Sequence, residues 1–343
     1  MPHKRASICR TKPTKGQKEQ NGQLMKKLLS IAALALLTAC AFAETYSLSI
    51  GINDYPDAKD ESGNVVDNDL SGCVNDANAM RNIFIKNYGV KENNTKILLD
   101  KNANGDKFLD GIKWLITTAK AGDQVIFTYS GHGAQIDDPE SDETDKKTEL
   151  LVLADGMLVQ DDFFNEVANL LRINGVNCTF IFDSCFSGGM SRNVDGRYQV
   201  RNRVMQYLPK NPKLMNRKKE EQGLLALAKN AKSRQVGTPK QGEVVFMYAS
   251  KESEPSKDIS GIPDTPAHGL FTLLLLDVLK AEVTMSVRDI YNVIDGFLAK
   301  INKDIMEDGL QNNIKKDAIP QFVQGPNFEA SATRSALPII LPN

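Results

Sequence analysis

Histidine is scarce: His3, His132 and His268 are the only three in 343 residues. No clustered Cys or His spacing accompanies them, which argues against the donor sets that structural and catalytic zinc sites use. If an imidazole serves as a general base it is His132 or His268, because His3 falls in a segment that reads as lying outside the mature protein. Cysteine is also sparse, and five residues in a chain of this length exclude a disulfide scaffold. Collagen-like and low-complexity compositions are missing, since 41% hydrophobic and 25% charged side chains describe a globular chain with room for one large domain or two small ones. No charge of one sign dominates. Forty-two Lys plus Arg against 43 Asp plus Glu leave a formal charge of −1, which excludes a chain that binds nucleic acid through its net charge.

Long apolar runs are absent except for one, from Leu28 to about Ala43. A polar, basic stretch of 24 residues and then Met25-Lys26-Lys27 precede it, and Ala41-Phe42-Ala43 stands before Glu44. This reads as a secretory signal with a small-residue cleavage site, with Met25 as the candidate true initiator. The run is shorter than the roughly 20 residues a membrane span needs. Leu37-Thr38-Ala39-Cys40 also resembles a bacterial lipobox, in which Cys40 would be lipidated and tie the protein to a membrane. A strand expected to begin by Tyr46 leaves little tether for that, so ordinary cleavage and a periplasmic or secreted protein are preferred. Cys73, Cys178 and Cys185 then remain, and with an odd number at least one thiol stays free or pairs between chains.

Beyond the signal, apolar strand-type runs alternate with helical patterns. Strands are expected at Tyr46–Ile52, Lys96–Leu99, Gln124–Tyr129, Cys178–Phe182, Val244–Tyr248 and Gln321–Gln324, with a further short run at Leu150–Leu153. Helices are expected at Val74–Tyr88, Asp106–Ala119, Asp162–Leu171, Gly269–Leu279 and Val287–Ile301. Such alternation predicts an open, doubly wound α/β sheet, mostly parallel, of about six strands. Between Ser191 and Gln241 the pattern fails, and 13 Lys plus Arg stand there against 3 Asp plus Glu, leaving 29 against 40 elsewhere. A solvated surface loop would explain this charge, and so would a functional or processed loop, since the segment is too long for an ordinary connection.

Two glycine-flanked segments follow directly on predicted parallel strands, at the end of the sheet where open α/β folds place their ligands. They are Tyr129-Ser130-Gly131-His132-Gly133 and Asp183-Ser184-Cys185-Phe186-Ser187-Gly188-Gly189. Neighbouring strands would bring His132 and Cys185 to one edge. An imidazole there can take the thiol proton and later protonate a departing amine, the layout of a cysteine hydrolase.

These segments resemble the metacaspases and their bacterial relatives, within the caspase fold. Gly72-Cys73-Val74-Asn75-Asp76-Ala77, Tyr248-Ala249-Ser250 and His268-Gly269-Leu270-Phe271-Thr272 are similar to further blocks of that family. The resemblance runs from about Tyr46 to Pro326, apart from the basic insertion. It implies a three-layer α/β/α caspase-like domain over residues 44–330 with an insertion at 191–241 and a tail at 331–343. It further implies Cys185 as nucleophile, His132 as its acid/base partner, and the N–H groups of Gly133 and Cys185 as an oxyanion hole. Asp76 and Asp183, with Ser130 beside them, would line the primary specificity pocket and select protein or peptide substrates with Arg or Lys before the scissile bond. The QAC signature of true caspases is missing, since Asp183-Ser184 precede the cysteine.

Many metacaspases bind calcium through four aspartates. Asp161 and Asp162 match two of these, whereas Thr148 and Arg192 stand at the other two positions, so weak or absent calcium dependence is expected. No cofactor is required on this reading. Arg217-Lys218-Lys219, Lys229 and Lys232 are candidate sites of self-cleavage in the insertion. His268 is expected to be structural and Cys178 a small buried hydrophobe. Two rivals stand beside the peptidase reading: a non-catalytic caspase-fold binding or scaffolding module, and a legumain-like or gingipain-like thiol peptidase with a different pocket.

Overall fold

The central sheet consists of β1 (Thr45–Gly51), β2 (Thr95–Leu99), β3 (Gln124–Ser130), β4 (Asn177–Asp183), β5 (Val244–Tyr248) and β6 (Asn327–Ala330), side by side in the order β6-β5-β4-β3-β1-β2. Every neighbouring pair is parallel except β5 and β6. This is a computed structural model, and it describes residues 43–139, 146–185, 199–209, 212–232, 240–250, 256–261, 264–281, 284–311, 326–331 and 335–339. The expected signal segment, Arg192 and the strand expected at Gln321–Gln324 lie outside the described residues.

Strands β3 and β4 are buried along almost their whole length, as continuous apolar runs in the middle of a parallel sheet should be. Among the described residues six α-helices cover the two faces: α1 (Cys73–Tyr88), α2 (Gly105–Thr118), α3 (Asp162–Ile173), α4 (Arg217–Lys232), α5 (Leu270–Ala281) and α6 (Val287–Gln311). Successive strand residues point to opposite faces. Phe127 and Phe180 therefore pack with Phe108, Phe163, Phe164 and Leu224 of α2, α3 and α4, while Ile126 and Ile181 pack with Phe84, Leu275 and Ile294 of α1, α5 and α6. The result is the expected three-layer α/β/α fold. Phe164 lies 5.1 Å from Phe127 and 5.0 Å from Phe182, centroid to centroid, directly behind the carboxyl ends of β3 and β4. Each such buried ring contributes about 1.5–3 kcal/mol, which anchors the two strand ends that carry the motifs.

The basic insertion departs from the expectation of a patternless loop. It contains α4, whose Leu224 and Ala228 are buried against the phenylalanine-rich face, and a short strand at Gln199–Asn202. That strand pairs antiparallel with Lys257–Ser260, which pairs in turn with His268–Gly269. Its apolar positions are too few to show periodicity, which hid these elements. The run expected at Leu150–Leu153 belongs to a separate hairpin, in which Lys147–Val152 pairs with Gly133–Asp137. Among the described residues, no helix is long and apolar enough to cross a membrane.

Candidate active site

Register brings the two motifs together, because Ser130 and Asp183 are direct partners across β3 and β4, and His132 and Cys185 each follow two residues later. The turn that carries His132 rests on two tyrosines. Tyr55 Oη accepts the His132 backbone N–H at 2.8 Å, and Tyr129 Oη lies 2.8 Å and 2.7 Å from the carbonyls of His132 and Val152. A Cβ at Gly131 would stand 2.4 Å and 2.7 Å from those two hydroxyls, so only glycine allows this approach.

The Tyr55 ring packs on the imidazole with centroids 4.8 Å apart. His132 Nε2 lies 2.7 Å from the Asn68 carbonyl, an acceptor only, which assigns the ring proton to Nε2 and leaves the Nδ1 lone pair open. Nδ1 is buried and has no hydrogen-bond partner among the described residues. Burial pushes the His132 pKa down to about 4, against the opposing pull of the Asn68 and Arg203 backbones. The imidazole is therefore neutral near pH 7, with one nitrogen available as a base.

Cys185 is buried, and its Sγ lies 3.9 Å from the Ser256 carbonyl. Burial pushes the thiol up to about 12, although the positive charges of Lys257 and Arg203 pull it down. The resting sulfur thus keeps its proton. Cys73, Cys178 and Cys185 are all buried and none forms a disulfide. Cys178 lies in β4, as a small hydrophobe of the core.

The backbone N–H groups of Gly133 and Cys185 converge on one oxygen, the carbonyl of Arg203, at 2.9 Å and 3.3 Å. Two preorganised donors on one carbonyl oxygen are the arrangement that stabilises the oxyanion of acyl transfer. The Arg203 N–H donates to the Ser256 carbonyl at 3.0 Å, and the next backbone N–H but one, of Met205, donates to the Gly133 carbonyl at 2.8 Å. Residues 199–205 thus cross the site as an extended segment hydrogen-bonded on both sides of Arg203.

The Arg203 side chain is fully buried among carboxylates. Its Nη2 lies 2.7 Å from Asp76 Oδ2 and 2.8 Å from Asp258 Oδ1, and its Nη1 lies 3.2 Å from Asp183 Oδ1. Nη1 also donates to Ser130 Oγ at 2.6 Å and to the Asp183 carbonyl at 3.1 Å. The carboxylates are themselves held. Asp76 Oδ1 meets His268 Nδ1 at 2.7 Å, and Asp183 accepts from Ser256 Oγ at 2.6 Å and Thr272 Oγ1 at 2.7 Å. A Cβ at Gly269 would stand 2.2 Å from Asp183 Oδ2 and 2.5 Å from Arg203 Nη1, so the pocket wall there is bare backbone.

Burial raises both the Asp76 and the Asp183 carboxyls. Arg203, His268 and Ser130 reverse that for Asp76, which ends below the usual carboxylate range, while Asp183 stays above it because the neighbouring Asp76 charge adds to burial. Removing ions from water costs several kcal/mol each, so such a cluster is weak as a stability device and strong as a discriminator for a guanidinium.

The structure therefore brings together Asp76, Ser130, His132, Gly133, Asp183 and Cys185. Three further residues carry no signal in the sequence. Arg203 and Asp258 lie in segments without periodicity, and Tyr55 follows a strand with no motif around it. His268, expected to be structural, holds Asp76 Oδ1 through its Nδ1. The basic residues expected as self-cleavage sites differ in placement from Arg203, since 217–232 are wound into α4 rather than extended.

Asp161 stands at the N-cap position of α3 without a side-chain cap hydrogen bond, and Asp162 opens the helix. Thr148 Oγ1 donates to Asp138 Oδ2 at 3.0 Å. Among the described residues no group of three or more His, Cys, Asp or Glu could hold a metal ion.

Residues 46–192 match the family model described as metacaspase, peptidase C14 domain. The chain is 34% identical over 132 residues to Metacaspase-1 of Schizosaccharomyces pombe, covering 36% of this chain and 31% of that protein. It is 34% identical over 130 residues to Metacaspase-9 of Arabidopsis thaliana, covering 36% of this chain and 40% of that protein. The chain thus spans well under two thirds of the length of the curated relatives it matches. A crystal structure of a Geobacter sulfurreducens protein shares the fold at a TM-score of 0.53 and 22% identity, covering 88% of this chain and 100% of that one. Over residues 46–192, the chain is therefore similar to the metacaspases.

Proposed function

We propose that the protein is a cysteine-type endopeptidase that hydrolyses peptide bonds after Arg or Lys with Cys185 and His132, and that it cuts its own Arg203–Val204 bond. One observation carries the reading: Arg203 lies in the carboxylate pocket with its carbonyl oxygen on the N–H groups of Gly133 and Cys185, as the residue before a scissile bond would. The basic pocket occupant also disfavours the scaffolding alternative, since a binding module has no need of a carbonyl on two converging donors.

In this mechanism His132 Nδ1 accepts the Cys185 thiol proton as sulfur attacks the carbonyl carbon, and the carbonyl electrons move onto the oxygen facing the two N–H groups. The C–N bond then breaks, His132 returns the proton to the departing amine, and a thioester remains on Cys185. Water, deprotonated by His132, releases the acid and restores the thiol. Three carboxylates in one pocket favour a cation and repel Asp. No step uses a metal, and we propose activity without calcium. We propose also that the apolar run before Glu44 exports the protein to the periplasm or beyond, by ordinary signal cleavage rather than lipidation of Cys40.

The test is hydrolysis of fluorogenic peptides ending in Arg, Lys or Asp by Tyr46–Asn343 and its Cys185→Ala variant, under reducing conditions, with calcium or chelator. Cleavage after Arg and Lys, lost in the variant and indifferent to chelator, is expected. Cleavage after Asp would overturn the pocket, and no cleavage at all would return the protein to the scaffolding reading.

A further inference from the structure

The occupied cleft carries information about the residue before the basic one, an inference that rests on the peptidase reading above. Gln199–Asn202 pairs antiparallel with Lys257–Ser260 so that Asn202 stands opposite Lys257. Directly opposed residues in an antiparallel pair share a face, so any substrate bound with the same backbone hydrogen bonds sets its penultimate side chain against Lys257. Asn202 Oδ1 accepts from Lys257 Nζ at 2.7 Å, and both side chains are buried, at 8% and 9% exposure. The neighbouring positions offer less. Arg201 reaches Asp67 at 3.2 Å, but both side chains are about half exposed, and such surface pairs are worth little. Val200 is buried beside Ile259, which selects only for bulk.

We propose that Lys257 is a specificity-determining residue that selects Asn or Asp immediately before the Arg or Lys, making the preferred substrates Asx-Arg and Asx-Lys sequences. A short side chain with an acceptor oxygen meets the buried ammonium, an apolar one occupies the site without an acceptor, and a Lys brings two cations together. A hydrogen bond to a charged group is strong enough to separate these by at least about tenfold. Lys257 also lies close enough to Cys185 for its charge to favour the thiolate, so its loss is expected to slow all substrates. The diagnostic quantity is therefore the ratio between peptides, not the absolute rate.

The experiment compares kcat/KM for four peptides that end in Arg and differ only in the preceding residue, Asn, Asp, Ala or Lys, with the full chain and with Lys257→Met. The wild type is expected to cut the Asn and Asp peptides at least about tenfold faster than Ala, with Lys slowest, and the variant to narrow that spread to about twofold. Equal rates on all four peptides by the wild type would overturn the proposal while leaving the peptidase reading intact. So would an unchanged ranking in Lys257→Met. Failure to cut any of the four would refute the peptidase reading and take this one with it. Should Lys257→Met not fold, Asn202→Lys within the chain provides the second measurement, and it is expected to slow the appearance of the new Val204 terminus at least about tenfold.

Discussion

One wall of the cleft is made from the ends of β3 and β4, where Ser130, His132, Asp183 and Cys185 stand within two residues of sheet hydrogen bonds and are backed by packed phenylalanine rings. The other is a small sheet of two- and four-residue strands, and one of those strands, Gln199–Asn202, is itself the occupant of the cleft. The first wall presents the sulfur, the imidazole and the oxygen-binding N–H groups. The second presents Lys257 and Asp258, which meet the side chains of Asn202 and Arg203. The chemistry proposed above therefore sits on strand ends anchored in the core. The selectivity proposed above sits on short strands at its edge.

The largest expected effect crosses between the walls. Arg203→Gln removes the guanidinium from three buried carboxylates, and is expected to reduce internal cleavage at least about a hundredfold, read by mass spectrometry as loss of the Val204 terminus. Arg203→Lys is expected to retain cutting at a reduced rate, because an ammonium keeps the charge and loses the fork. Asp258→Asn tests the second wall alone. It leaves Asp76 and Asp183 in place and is expected to lower kcat/KM for Arg peptides about tenfold, and, because the Asp258 charge helps hold the His132 pKa up, to move the acid fall of the pH profile lower.

That profile is a test of the first wall. Neutral His132 is the working form, so protonation removes the base. Internal cleavage is expected to hold its rate from pH 7 down to 5 and to fall as the pH approaches about 4, well below the ordinary histidine range. The sign for stability agrees. The unfolded chain protonates this histidine near 6.5 and the folded one only near 4, so between those values the unfolded state binds more protons and stability declines as the pH drops. The smallest effect is Tyr55→Phe, which leaves the buried His132 N–H without its acceptor. A loss of about 1–3 kcal/mol is expected, read as a decrease of several degrees in Tm together with a slower turnover.

The wall built on regular strands was legible in the sequence because its signals are local: an apolar run, then glycines around a reactive side chain. Five of the six sheet strands lie within a few residues of their expected places for the same reason. The second wall was not legible. Strands of two to four residues carry no measurable period, and Asp258 acquires its meaning only from partners such as Arg203, 55 residues away along the chain. The charge of the insertion was visible, but charge counts do not distinguish the one arginine that is extended and buried from the lysines wound into α4. The structural place of His268 was legible but not its partner, because Asp76 is 192 residues distant.

Only residues 186–198 separate the nucleophile from the strand that fills its cleft. Were the Arg203–Val204 bond cut as proposed, the piece ending in Arg203 would still be attached to Cys185 through that short connection, and a short tether holds a ligand at an effective concentration on the order of millimolar. On the proposed reading the protein begins its life as its own competitive inhibitor. External substrates would then have to outcompete a tethered product, and progress curves are expected to start with a lag whose length reports how readily that strand leaves.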